Sequence, residues 1–221
     1  MNEPTSSSPT FYDSAQDPRW LDSKGANRFI DVVVNITYWV CKFGLRPMRK
    51  SCFIGIMPSD LRSGSKYVIA SNHQSVIDPF LICSQIPFLV WQRIVTLRFF
   101  LANYIFDKKV IRPLAISLGC FPAKPHSDYP SGLDFAIQQL NAGRSVLIFP
   151  EGRRTVRGDT PIRYGVQVLA REPGVMIIPM HVEWSRGIWG RRFAFGIGKP
   201  FDGSNLSPDD IMERVYATPV K

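Results

Sequence analysis

Eight consecutive residues, Asn72-His73-Gln74-Ser75-Val76-Ile77-Asp78-Pro79, constrain this chain more than any other stretch. An apolar run at 67–70 leads in and a helix-like run at 80–86 leads out, so the motif predicts a strand-to-helix turn. Asp78 before Pro79 reads as a helix N-cap with proline at the first helical position. That geometry folds the Asp78 carboxylate back toward His73. A carboxylate on one imidazole nitrogen fixes the tautomer and leaves the other nitrogen as a general base. The same pairing also occurs as an inert, satisfied turn, so the motif by itself leaves chemistry and packing both open.

The second informative block is Phe149-Pro150-Glu151-Gly152-Arg153-Arg154-Thr155. Taken together, the two blocks resemble the glycerolipid acyltransferase family, whose bacterial archetype is 1-acylglycerol-3-phosphate acyltransferase. The family motif N-H-x-S-x-x-D is matched at every fixed position from Asn72 to Asp78. The block F-P-E-G-T-R-S is matched except that Arg153 stands for Thr and Thr155 for Ser. Gly119-Cys120-Phe121-Pro122-Ala123-Lys124 stands where the family has G-x-I-P-V-x-R. There the glycine, the apolar residue and the proline match, but Pro125 occupies the arginine position and Lys124 is the nearest cation. The run 175–180, with Pro179, is similar to the family's fourth block. The resemblance spans residues 66–200.

The resemblance implies an O-acyltransferase acting on a thioester donor, acyl-CoA or acyl-carrier protein, and a lysophospholipid acceptor. The acceptor it favours is 1-acylglycerol 3-phosphate, giving phosphatidate; another lysolipid or glycerol 3-phosphate is the alternative, kept open by Lys124-Pro125. His73 is then the base and Asp78 its partner. Glu151, Gly152, Arg154, Arg163, Lys124 and Gly119 are the substrate-binding candidates, with Arg154 at the family's arginine position for the acceptor phosphate. By the resemblance Glu151 orients the acceptor or braces its turn; the plain alternative is an ion pair with a nearby arginine. No cofactor and no metal is implied. A thioester is already activated, so no protein nucleophile is needed, and Ser75 reads as a turn hydroxyl. Backbone N–H groups near 119–121 or at 151–152 are the candidate oxyanion donors.

The chain has 221 residues, with 27 Lys plus Arg against 18 Asp plus Glu and a formal net charge of +9. That balance suits phosphate-bearing partners and an anionic membrane surface. The basic residues are scattered and no nucleic-acid-binding motif is present, so no nucleic-acid partner is expected. The complete set His73, Asp78 and Glu151 argues against the reading from another class, a non-catalytic basic membrane- or nucleic-acid-binding domain. Cys41, Cys52, Cys83 and Cys120 form no C-x-x-C pair and sit in apolar runs, which points to buried thiols in a reducing compartment. There is no H-E-x-x-H and no G-x-S-x-G, which excludes a zincin helix and a nucleophile elbow.

In chain order, residues 1–28 read as a flexible polar N-terminus, 29–50 as an amphipathic membrane-interface helix and 51–221 as the acyltransferase domain. Within 29–45, Asp31, Asn35, Tyr38 and Lys42 share one helical face, and Ile30, Val33, Val34, Val40 and Phe43 fill the apolar remainder. Arg46, Arg49 and Lys50 follow at once. This predicts contact with an anionic membrane on its cytoplasmic face, peripheral or monotopic; a helix packed on the domain is the plain alternative. The segment is too short and too polar to span a bilayer, which takes roughly 20 apolar residues. The aromatic stretch 91–106, with Arg93 and Arg98, reads either as interface or as ordinary core. Strands are expected at 66–71, 88–91, 145–149, 175–180 and 193–197. Helices are expected at 79–86, 110–118, 131–141, 162–171 and from Ser207 or Pro208. The fold class is therefore α/β, a mixed sheet covered by helices in a single domain with an N-terminal amphipathic helical membrane-contact segment.

Overall fold

The structure, a computed structural model, describes residues 24–62, 65–94, 97–123, 131–155, 160–187 and 190–220. The polar residues 1–23 and the candidate Lys124 lie outside the described residues. The elements are α1 (Lys24–Gly44), β1 (Arg49–Ile54), β2 (Lys66–Ser71), α2 (Asp78–Gln85), α3 (Phe88–Ile94) and β3 (Arg98–Leu101). They continue as α4 (Asn103–Phe106), α5 (Arg112–Ser117), β4 (Cys120–Pro122), α6 (Gly132–Asn141) and β5 (Val146–Ile148). The last are α7 (Gly165–Ala170), β6 (Val175–Gly187), β7 (Gly190–Ile197) and α8 (Pro208–Ala217).

The strands form one seven-stranded sheet in the order β1-β7-β6-β2-β5-β3-β4. All neighbours are parallel except the β6–β7 hairpin, so the sheet is mixed and helices cover it. The central strand β2 is buried along nearly its whole length, as the continuous apolar run predicts for a strand covered on both faces. α6, α7 and α8 pack on the central strands and on one another, while α1 packs on α2 and α5. β6 pairs with β2 only as far as Met180 opposite Ser71, then runs on to Gly187 paired with β7 alone. That overhang carries its last residues past the carboxyl edge of β2, where the His73 motif begins.

Several local readings change. Residues 88–91 are helical, within α3, because Pro87 O accepts from Trp91 N–H at 2.8 Å. A short apolar run has no period of its own and fits either element. Arg49 and Lys50 begin the edge strand β1 and do not simply trail the preceding helix. Trp91 and Phe106 are core residues, and Arg98 is itself buried. Arg98 reaches Asn27 Oδ1 at 2.7 Å and Asp31 at 3.5 Å, and burial lowers its pKa to about 10.

The largest change is in α1. Asp31, Asn35, Tyr38 and Lys42 do share a face, but that face points into the protein. Asn35 Oδ1 accepts the Trp91 indole N–H at 2.9 Å, and the Tyr38 hydroxyl donates to Ile86 O at 3.0 Å. Lys42 donates to the Tyr38 oxygen at 2.6 Å and to Ile86 O at 3.2 Å. Tyr38 stacks on Trp91 at 4.7 Å, and burial raises its pKa to about 12. The outward face is instead Phe29, Val32, Ile36, Trp39, Val40 and Phe43, all exposed. Periodicity defines a stripe but not the direction in which it points. Among the described residues no helix is long and apolar enough to cross a membrane.

Candidate active site

At the carboxyl edge of β2 the chain leaves the sheet through Asn72, whose side chain substitutes for the next pair of ladder bonds. Its Nδ2 donates to Val182 O and its Oδ1 accepts from Val182 N–H, both at 2.8 Å, so the loop stays tied to β6. His73 follows, with both of its backbone polar groups held by the second motif. Its N–H donates to Glu151 Oε2 at 2.8 Å, and its carbonyl accepts from Thr155 N–H at 2.9 Å. The ring stacks on Phe149 at 4.1 Å and places Nδ1 3.1 Å from Asp78 Oδ2.

Asp78 is fully buried and surrounded by donors. Oδ2 also accepts from the N–H groups of Gln74 and Ser75, each at 2.6 Å, and Oδ1 accepts the Trp184 indole N–H at 2.8 Å. This corrects the capping expectation. α2 begins at Asp78 with Ile77 at the cap position and no side-chain cap, because both carboxylate oxygens are taken by the loop and by β6. A carboxylate held in place by these donors and set against His73 Nδ1 fixes the imidazole tautomer and leaves Nε2 as the acceptor. Ser75 is a turn residue here, its carbonyl accepting from Asp78 N–H at 3.1 Å.

Glu151 is buried on the other side of His73. Burial raises its pKa, while the Tyr216 hydroxyl on Oε1 and the His73 N–H on Oε2 favour its charge. These two bonds tie Glu151 to the His73 loop and to α8. Gly152 has φ +68, and a Cβ there would collide with the Arg163 side chain, so glycine is required for Arg163 to lie across the turn. Arg163 N–H is bonded to Pro150 O at 2.8 Å. Arg153 donates to Thr160 Oγ1 at 2.8 Å. Arg154 is exposed, next to the residue bonded to the His73 carbonyl, and so stands at the rim of the site.

His73, Asp78, Glu151, Gly152, Arg154 and Arg163 are therefore gathered at one edge of the sheet. Gly119 is not. Its carbonyl accepts from Phe99 N–H at 3.1 Å, at the amino end of β3, about three residues or roughly 10 Å from the carboxyl edge. Its φ of +77 and the Leu97 carbonyl, 2.9 Å from where a Cβ would sit, make it a turn glycine. The motif pattern did not single out Trp184 and Tyr216, because each lies far along the chain and outside any block. An indole or phenol that closes on a carboxylate leaves no spacing signature.

Beside the motif lies a cavity of about 240 Å³ lined almost wholly by hydrocarbon, with Val34, Val76, Pro79, Phe80, Phe100 and Leu114 among its walls. Cys83 and Cys120 also face it, and burial pushes both thiols up, Cys120 to about 12. These thiols are poor nucleophiles and serve as apolar lining.

A fixed imidazole beside a hydrocarbon-lined space is an arrangement that can take up a proton next to a bound apolar chain. A family model described as Acyltransferase matches residues 56–183, more than half of the chain, and the chain belongs to that family: it is an O-acyltransferase. The fold is similar to the crystal structure of the 1-acyl-sn-glycerophosphate (LPA) acyltransferase, PlsC, from Thermotoga maritima. The TM-score is 0.60 at 18% identity, covering 83% of this chain and 77% of that one. Trp184 and Tyr216 both lie beyond the matched family region.

Proposed function

We propose that this enzyme moves a fatty acyl group from acyl-CoA or acyl-carrier protein to the free hydroxyl of 1-acylglycerol 3-phosphate, giving phosphatidate. The observation that carries this is the His73–Asp78 pair, 3.1 Å apart and set beside an apolar cavity. The acceptor hydroxyl gives its proton to His73 Nε2 as its oxygen attacks the thioester carbonyl. Asp78 stabilises the imidazolium that forms. The tetrahedral intermediate collapses, the C–S bond breaks, and His73 returns the proton to the leaving thiolate. The cavity takes an acyl chain, and Arg154 with Arg163 meets the acceptor phosphate. A guanidinium fork matches two oxygens of a phosphate monoester.

The reading includes attachment to the cytoplasmic face of a membrane without a spanning helix. The outward apolar face of α1 enters the interface, and Arg46, Arg49 and Lys50, all exposed, add roughly 1 kcal/mol each near anionic lipid. The test of the acceptor is a panel of purified phosphorylated and phosphate-free monoacylglycerols with one acyl-CoA. Arg154→Ala lowers kcat/KM for the phosphorylated acceptor by about 10- to 100-fold, the loss of one charge-assisted hydrogen bond. Arg154→Lys recovers part of it. Equal loss on both acceptors would remove Arg154 from the phosphate.

A further inference from the structure

The Asp78 carboxylate is gripped from two independent parts of the chain. Its own loop supplies the Gln74 and Ser75 N–H groups and His73 to Oδ2, and the β6 overhang supplies the Trp184 indole N–H to Oδ1 at 2.8 Å. The overhang is also tied to that loop at Asn72 and Gln74. Val182 is bonded twice to Asn72, and Trp184 N–H donates to Gln74 Oε1 at 3.2 Å. The indole is itself fixed, with the Arg191 guanidinium 4.9 Å over its ring and Phe193 at 5.8 Å.

We infer that Trp184 is a positioning residue for the proton-transfer step, setting the direction of the Asp78 carboxylate and thereby the orientation and basicity of His73. This rests on the dyad reading above and adds to it a residue outside the matched family region. The physical reason is specific to a donor. A buried carboxylate shares its charge among the hydrogen bonds it accepts, and Oδ1 is not served by the loop. Without the indole N–H, Oδ1 loses the bond that fixes its direction, and the carboxylate holds more charge. A more negative Asp78 stabilises the imidazolium, so the basicity of His73 rises and its neutral fraction at a given pH falls.

The charged and titratable groups around the pair come from several parts of the fold. They are Asp78 on α2, Glu151 after β5 with Tyr216 of α8 on it, Arg191 on β7, and His181 of β6 edge-on to Tyr216. Arg163 lies across Gly152. Replacing the Trp184 side chain changes none of these charges.

The experiment uses the full chain with palmitoyl-CoA and 1-acylglycerol 3-phosphate. It compares Trp184→Phe with a variant carrying benzothienylalanine at 184, which keeps the bicyclic shape and replaces the ring N–H by sulfur. Both lower kcat by about 10-fold, the loss of one hydrogen bond to a charged group. The acyl-donor KM stays within about 2-fold, and the acid limb of the pH profile of kcat/KM moves up by about half a pH unit or more. Should Trp184→Phe fail to fold, the benzothienylalanine variant decides. An acid limb at the wild-type pH in that variant, or a kcat loss confined to Trp184→Phe, shows packing alone and overturns the inference. His73→Ala assayed in parallel separates the two readings. If it stays active the dyad itself is wrong, whereas an inert His73→Ala with unmoved Trp184 limbs removes only Trp184.

Discussion

α1 and α8 are both amphipathic helices near the chain's ends, yet they bury opposite faces. α8 opens with a Ser207–Asp210 capping box, buries Ile211, Met212 and Val215, and leaves Asp209, Glu213 and Arg214 in solvent. Everything about it is explained by folding in water. α1 buries Ile30, Val34 and Tyr38 together with the hydrogen-bonded groups of Asn35 and Lys42, and exposes six large apolar side chains. Keeping those side chains out of the core gains the fold nothing. An outward apolar face of that extent, on a helix whose polar atoms have been given partners inside, is what the proposed membrane contact requires.

Substitutions on the two outward faces and the two inward faces separate these roles. Ile211→Ala, at a fully buried position of α8, costs about 2–5 kcal/mol in denaturant unfolding. Ile36→Ala on the outside of α1 stays within about 0.5 kcal/mol. Equal costs would mean that α1 is covered by protein. The triple change Val32→Ser, Val40→Ser and Phe43→Ser lowers partition onto anionic vesicles by about 100-fold or more, since each apolar side chain transferred is worth about 1.5–3 kcal/mol when fully buried. Flotation that is unchanged in the triple variant would leave α1 without its second phase.

Asn35→Ala strands the buried Trp91 indole N–H and costs about 1–3 kcal/mol, although the residue lies on the polar stripe of its helix. Tyr216→Phe on α8 costs less than Asn35→Ala. Removing that donor raises the Glu151 pKa further above its unfolded value, so the added instability is present where the carboxyl is ionised and fades as pH falls through its pKa. Urea unfolding at pH 7.5 shows a loss of about 1 kcal/mol. That loss shrinks toward pH 5; a loss independent of pH would assign Tyr216 to packing.

The parts legible in the sequence were those with local signatures. β2, the turn at His73 and α2 were readable from a change of period around a motif, and α6 and α8 from Ser131 and Ser207 at their caps. The edge strand β1 was hidden because its residues are half-exposed or exposed and open with two cations. α3 has no helical signature in the sequence because seven residues give too short a sample of a period. In the site, His73 and Asp78 are readable from their spacing and Glu151 only through the family resemblance, and the structure brings the three together. The Asp78 cap was misplaced because sequence cannot foresee that Trp184, 106 positions away, claims the free oxygen. The inward turn of the α1 stripe was decided by partners at Ile86, Trp91 and Arg98, none of them on the helix itself.

The central claim is that His73 is the base for acyl transfer, and one comparison tests it most directly. Wild type and His73→Ala are assayed for acylation of 1-acylglycerol 3-phosphate by palmitoyl-CoA, at matched near-UV circular dichroism and matched unfolding midpoints. A positioned general base is worth about 100- to 10,000-fold, so kcat falls by that factor in the variant. A folded His73→Ala enzyme within about threefold of the wild-type kcat would contradict the account, since no general-base role is worth so little.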